Sequence, residues 1–415
     1  MRICLIGATH VSQNPRLIRE ADSLCEEGHD VRVVAPAFIE DFSERDKRHL
    51  DRRRWRYTPV DYEALGFRGT LKSIWVRGGR RLARELYYRT QLSRFAEPGF
   101  TPALNSLIKA ACLEPADWYI AHAHPALPVA AAAAARWGAK LGFDCEDLLA
   151  ENDPETRREV LWIENRYLER CDYISVPSES LGKELSRNYR IKNLVLLKNV
   201  FPLMLAQGLI PPSLRQGTSR LRLHWFGKTI GIGRGLEEAV EACGLLKSHV
   251  ELHLRGRWAN GYEPVLQDLA NRFEVPLFVH PLIDHDDLIK SLDQFDVGLA
   301  LERPEHGNYS VALTNKVGSY ALGGLAIAAT DTRGHREFFS RWPAAGFLYQ
   351  SGKPLDLAKG LERWFKQRET LKSSQQSSWN AARTGFSWDA EKATLLEVLT
   401  NSHHFSQQNN QRVSA

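Results

Sequence analysis

The stretch NYSVALTNKVGSYALGGLAIAATD, Asn308 to Asp331, decides the fold because it reads as loop, short helix and buried strand in direct succession. Thr314 is a capping residue ahead of a helical pattern, Gly323 and Gly324 can end that helix, and Leu325 to Ala329 is an uninterrupted apolar run of strand length. Such a run, apolar on both faces, belongs in a parallel sheet. A strand at Asp296 to Leu301 and a loop at Glu302 to Leu313 lead into the same helix. Working back along the chain, LRLHWFGKTIGIGRG, Leu221 to Gly235, forms a second strand–helix junction. Leu221 to Phe226 is the strand, Gly227 to Gly235 carries four glycines, and Leu236, Ala239, Val240, Cys243 and Leu246 make the apolar stripe of the next helix. Ligands of open parallel sheets sit at the carboxyl ends of the strands, with phosphates over helix N-termini. Lys228 and Arg234 are therefore placed to meet an anion, Arg through paired hydrogen bonds and Lys as a point charge.

Two imitations are excluded or weak. Gly227-Lys228-Thr229 resembles the end of a Walker A loop, but the glycine required five residues earlier is Arg222. The glycines at 231, 233 and 235 fit a dinucleotide fingerprint only loosely, and an ordinary tight turn is the plain alternative to a phosphate loop here.

On these residues the chain resembles glycosyltransferase family 4. The pattern N…NK…Y…G…ATD…G…E is carried by Asn308, Asn315, Lys316, Tyr320, Gly324, Ala329 to Asp331, Gly334 and Glu337. Gly227-Lys228 and Arg234-Gly235 match the family's two diphosphate-binding basic positions, with Lys and Arg exchanged relative to the commoner order. RICLIGATHVSQNPRLIREADSLCEEGHDVRVVAP resembles the first strand, glycine loop (Gly7) and helix, with Asn14 as cap and Pro15 at the first helical position. AHAHPALPVAAAAAARWGAKLGFDCED and CDYISVPSESLGKELSRNY resemble the middle and close of the N-terminal domain, LKNVF the strand end before the hinge, and FSWD, Phe386 to Asp389, the start of a returning helix. Residues 41–113 match least.

The resemblance implies an α/β protein of the GT-B class, two Rossmann-like doubly wound domains facing a cleft. The N-terminal acceptor domain is expected over 1–203, a linker over 204–218, the sugar-nucleotide domain over 219–384, the returning helix over 385–402 and a disordered tail over 403–415. It implies a retaining transfer of a sugar from a nucleotide-diphosphate sugar to a hydroxyl of a glycan or lipid-linked glycan. A sugar-nucleotide 2-epimerase and an inactive scaffold of the same fold are the rival readings. Gly227, Lys228 and Arg234 would hold the diphosphate, and Glu305, Asn308, Asn315, Lys316 and Ser319 the nucleotide and sugar. There is one departure. Many family members carry two glutamates eight residues apart; here those positions are Val311 and Ser319, and the spacing leaves Glu302 and Glu305 open as substitutes for the first.

In the N-terminal half, His122 and His124 follow the strand-like Trp118 to Ala121, while Asp144, Glu146 and Asp147 follow the next strand. With Gly7 and Asn14, Asp144 and Glu146 are candidates for the acceptor side. His124 is the residue carried over to the family's active-site histidine, with His122 as the second choice. A satisfied strand-end residue is the plain alternative for each. His-x-His with carboxylates also permits a metal site, but the family reading implies none, nor any cofactor beyond the substrate nucleotide sugar.

At 415 residues and 43% apolar content the chain can bury two cores. Six scattered cysteines without a C-x-x-C pair fit a reducing compartment, and no apolar run reaches the ~20 residues that span a bilayer, so a cytoplasmic protein is expected. Charge is uneven. Residues 45–94 hold 15 Lys and Arg against 5 Asp and Glu, a net +10 within an overall +5. With Trp75, Tyr87 and Tyr88 among the cations, this segment suits an anionic membrane surface, a peripheral placement; a solvated helix face is the equal alternative. No groove-reading motif for nucleic acid accompanies it.

Overall fold

The computed structural model describes all residues except 39, 52, 62–66, 153, 218, 306 and 413–415, and the side chains of all the others except 40, 41, 44, 48, 49, 67–75 and 401–412. The chain forms two compact units. The first comprises Met1–Pro177, Leu181–Leu197 and Lys392–Ala415, the second Ser178–Ser180 and Lys198–Glu391.

In the first unit, seven parallel strands are β1 (Arg2–Gly7), β2 (Asp30–Pro36), β3 (Arg56–Val60), β4 (Trp118–His122), β5 (Lys140–Asp144), β6 (Tyr173–Val176) and β7 (Leu194–Leu196). Their order is β3-β2-β1-β4-β5-β6-β7. The central strands are buried along nearly their whole length, which is why ICLIG and VRVVAP read as continuous apolar runs apart from Arg32. Arg32 is accommodated because its guanidinium donates to the carbonyls of Ala110 and Ala111. The chain reverses direction across the sheet between β1 and β4, placing Gly7 beside His122 in register, and His122 beside Asp144.

The second unit has six parallel strands, β8 (Leu221–Ile230), β9 (Val250–Trp258), β10 (Leu277–His280), β11 (Val297–Ala300), β12 (Ala326–Thr330) and β13 (Gly346–Tyr349). The order β10-β9-β8-β11-β12-β13 puts the reversal between β8 and β11. One apolar cluster buries the helices Leu236–Leu246 and Pro354–Lys366 on the sheet, and a second, around Val317, Tyr320, Phe338 and Ala381, buries the helices Asn315–Gly323, Arg333–Arg341 and Arg368–Thr384. Both units are thus doubly wound, Rossmann-like α/β structures.

Four boundaries differ from the sequence reading. The first unit's main segment ends at Leu197 rather than 203, because Val200, Phe201, Ala206 and Leu209 are buried in the second unit's core; within the expected linker Ala206, Leu209 and Pro212 are buried while Met204, Ile210 and Leu214 stay exposed. The first unit resumes at Lys392 rather than 385, since residues up to Glu391 group with the second unit. The returning helix, Trp388–Arg412, continues through most of the expected tail, which holds no proline or glycine to stop it. Strand β8 also runs four residues past Phe226, with an irregularity in its pairing between Phe226 and Thr229.

Candidate active site

The second unit gathers its polar groups at the reversal between β8 and β11, the place where a doubly wound sheet opens a crevice. Gly235 is central. Its φ of +70° is left-handed, and a Cβ there would lie 2.9 Å from both Cβ and O of Leu301, so only glycine lets the β8 loop lie against the end of β11. Helix Leu236–Leu246 starts at this residue. Just before it, Arg234 donates to the Tyr309 hydroxyl at 2.7 Å, while Lys228 is exposed on the last part of β8.

On the other side of the reversal, Glu302 follows β11. One of its oxygens lies 2.7 Å from the Lys316 ammonium and accepts from the Thr314 hydroxyl at 3.1 Å; the other lies 3.4 Å from His335 Nε2. Burial alone would raise the Glu302 pKa, but Lys316 and His335 hold it well below the usual carboxylate range. The Lys316 ammonium is also within 6.0 Å of the Trp225 and Phe226 ring centroids. His335 is fully buried and its Nδ1 lies 2.8 Å from the Thr330 carbonyl, an acceptor, so Nδ1 carries a proton.

The two glutamates left open by spacing are thereby distinguished. Glu302 is buried and holds Lys316, whereas Glu305 is exposed and paired with Arg303 at 2.8 Å. Asn308 is buried in the short helix Gly307–Val311 within the expected loop, and Asn315 is half-buried at the start of Asn315–Gly323. Thr314 precedes that helix as expected, but its hydroxyl serves Glu302 and makes no cap bond. Ser319 is fully buried. Its hydroxyl donates to the Asn315 carbonyl at 2.9 Å and lies 3.1 Å from His285 Nε2, and the His285 ring stacks on Phe201 at 3.8 Å. It is an internal bond of the helix packing, not a hydroxyl presented to a ligand.

The first unit carries a buried charge cluster at its own reversal. Asp144 accepts from Arg16 Nε and Nη2 at 2.5 and 2.8 Å and from Ser175 Oγ at 2.6 Å. His122 stands between two carboxylates, Nε2 3.3 Å from Glu20 and Nδ1 3.4 Å from Asp144. Burial opposes a charge on His122, but the two carboxylates outweigh it and raise its pKa to about 10. Burial and the neighbouring Arg16 push Arg19 down to about 9, and burial with the Asp144 carboxylate pushes Glu146 up to about 7. Asp144, held by Arg16 and His122, stays ionised. Glu20, His122 and Asp144 are close enough to share a metal ion, and Arg16 and His122 supply positive charge beside the same carboxylates.

Asn14 caps the helix Pro15–Glu26 by accepting from the Leu17 amide at 3.0 Å, and its amide donates to Glu146 at 3.2 Å. Gly7 is tightly packed: a Cβ would lie 3.1 Å from Ala35 and 3.2 Å from Leu17, so those side chains would have to shift by a few tenths of an ångström to admit one. His124 is 2% exposed, its Nε2 2.8 Å from Glu164, which also accepts from the Tyr189 hydroxyl at 2.8 Å. The structure therefore brings Gly7, Asn14, His122, Asp144 and Glu146 to one end of the first sheet, with His122 between two carboxylates and His124 paired with one, Glu164. Sequence reasoning missed Arg16, Arg19 and Glu20. Their i, i+3, i+4 spacing puts charge on the side of the helix that the apolar stripe leaves beside the sheet ends, a signal that only burial makes legible.

With this geometry in place, comparison with known proteins gives the class. Residues 14–199, most of the first unit, match the family described as Glycosyl transferase 4-like domain. That region is similar to a glycosyltransferase 4-like domain, and the chain as a whole has the GT-B fold. No curated protein sequence matches it significantly. Among solved structures, a sucrose-phosphate synthase from Thermosynechococcus elongatus superposes with a TM-score of 0.70 at 12% identity, covering 97% of this chain and 99% of that one. HepE of Anabaena, solved in complex with UDP-glucose, gives 0.67 at 15% identity over 97% and 100%. TarM of S. aureus, in complex with fondaparinux, alpha-GlcNAc-glycerol and UDP, gives 0.69 at 9% identity over 96% and 99%.

Proposed function

We propose that the protein transfers a sugar from a nucleotide-diphosphate sugar, bound by the second unit, to a hydroxyl of a glycan or lipid-linked glycan held by the first. The observation that carries this reading is the reversal between β8 and β11, where Gly235 brings the start of a helix to the end of β11, with Arg234 just before that helix, Lys228 exposed on β8 and Lys316 anchored by Glu302. That the likenesses HepE and TarM were solved with UDP or UDP-glucose supports a nucleotide donor.

The chemistry is a substitution at the anomeric carbon. The bond from that carbon to the diphosphate oxygen breaks, a bond to the acceptor oxygen forms on the same face, and the acceptor proton passes to a leaving diphosphate oxygen. Configuration is retained. Lys228, Arg234 and the helix N-terminus stabilise the negative charge that grows on the diphosphate, which is the main service the protein supplies. No cofactor besides the substrate is required by this scheme.

All six cysteines are free, which favours a reducing, cytoplasmic setting. No helix among the described residues is long and apolar enough to cross a membrane. A panel of sugar nucleotides tested for nucleotide release, with and without a membrane extract as acceptor source, checks the reading. Release that depends on the extract supports a transferase; release without it supports a 2-epimerase; no release supports a scaffold.

A further inference from the structure

The helix Phe67–Thr90 places Arg77, Arg80, Arg81 and Arg84 at the i, i+3, i+4, i+7 positions where a surface helix normally carries its apolar stripe. Like charges at this spacing destabilise a helix, so the arrangement has a cost that packing alone does not explain. These four arginines line an open cavity of about 370 Å³ together with Phe38, Val76 and Pro102.

The walls are fixed by specific bonds. Arg80 Nε donates to the Gly99 carbonyl at 3.3 Å, and Gly99 lies so close to the helix that a Cβ would come within 2.9 Å of the Arg84 backbone. Arg84 donates to the Glu155 carbonyl at 2.7 Å and lies 3.5 Å from the buried Glu159 carboxylate. The Phe38 amide donates to His10 Nε2 at 3.0 Å, which requires the His10 proton on Nδ1, 2.9 Å from Asp46. Beside Pro102, Thr101 donates to the Pro125 carbonyl at 2.8 Å. One wall is thus tied to the loop after β1 and the other to the turn that carries His124, the two loops of the first sheet's reversal. Tyr87 is buried and Tyr88 donates to Glu159 at 3.1 Å, so these aromatics support the helix rather than project to meet a membrane; Trp75 lies outside the described side chains.

We infer that this cavity binds a phosphate group of the acceptor, deepening the transferase reading on which its biological role rests. Guanidinium forks match phosphate oxygens in pairs, and several on one face can share one phosphate or diphosphate. The volume lies in the range of small-molecule sites and leaves room beside the phosphate for the first sugar or alkyl carbons, against Phe38, Val76 and Pro102. The phosphate can belong to a lipid headgroup or carrier, or to a soluble phosphorylated glycan.

The test is calorimetry of inorganic pyrophosphate binding to the full chain. Wild type is expected to show two sites. Arg77→Ala with Arg81→Ala, both exposed positions, should weaken one of them by about tenfold or more without lowering the thermal midpoint, and Lys228→Ala with Arg234→Ala should weaken the other. Arg81→Glu provides an independent charge reversal. An isotherm unchanged by the Arg77/Arg81 and Arg81→Glu variants overturns the inference. Loss of binding in those variants with no effect of Lys228→Ala and Arg234→Ala sinks the donor-site reading but leaves the cavity assignment standing. Sedimentation with phosphatidylglycerol vesicles, against phosphatidylcholine vesicles, separates the sources. Vesicle binding lost with Arg77/Arg81 assigns a lipid phosphate, and pyrophosphate binding without vesicle binding assigns a soluble one.

Discussion

The Lys316 ammonium and the Glu302 carboxylate lie 2.7 Å apart at the end of β11, with Glu302 almost wholly buried. The pair fixes a cation beside the crevice while the second carboxylate oxygen faces His335. Lys316→Ala leaves that carboxylate buried with one partner fewer and should cost about 3 kcal/mol of stability. Because the Glu302 pKa is depressed in the folded state, its contribution is present above the ordinary carboxylate value of 4.5 and is lost as pH falls below it. Acid unfolding curves should therefore be shallower in Lys316→Ala than in wild type; identical curves would show that the pair does not couple to folding.

His122 gives the opposite pH signature. Its folded pKa is raised from 6.5 to about 10 by Glu20 and Asp144, so its ion pairs contribute fully below pH 6.5 and fade as pH rises toward 10. Thermal midpoints of the wild type should fall over that interval, with His122→Asn showing a flatter profile and a loss on the order of 3 kcal/mol near neutrality. A mutant profile parallel to wild type would remove the imidazolium from the cluster.

Gly235→Ala introduces a side chain at a left-handed backbone position and against Leu301. We expect a loss of about 2 kcal/mol or more, and reduced transfer because Arg234 is displaced with the loop. Full activity and stability in this variant would mean that the close approach of β8 and β11 is unimportant.

Ser319→Glu separates the family pattern from this chain's packing. Since Ser319 is fully buried and bonded to the Asn315 carbonyl, a carboxylate there has neither room nor solvent. The melting temperature should drop markedly, more than nucleoside diphosphate affinity changes in the protein that remains folded. A stable variant with tighter nucleotide binding would restore a ligand-facing role to this position.

Much of this architecture was legible in the sequence. Continuous apolar runs such as Ala326–Thr330 and the stripe from Leu236 to Leu246 exposed the parallel strands and their helices, and the Asn14-Pro15 pair fixed one helix start, because local periodicity and capping act over a few residues. The polar core was not legible. Nothing in local spacing distinguishes Glu302, which reaches Lys316 fourteen residues on, from exposed Glu305, and Arg16 meets Asp144 only because the sheet order brings β5 near the first helix. The buried state of Ser319 likewise depends on His285, a partner from another helix. Long-range pairing decides these, and a single sequence does not display it.

The central claim is that Lys228 and Arg234 stabilise a departing diphosphate, and the most direct measurement is nucleotide release from the preferred sugar nucleotide by wild type, Lys228→Ala and Arg234→Ala. The account predicts a fall of ~10²-fold to 10³-fold in transfer for each substitution, as for loss of one preorganised charge stabiliser, with the thermal midpoint unchanged. Undiminished turnover in both variants would contradict it.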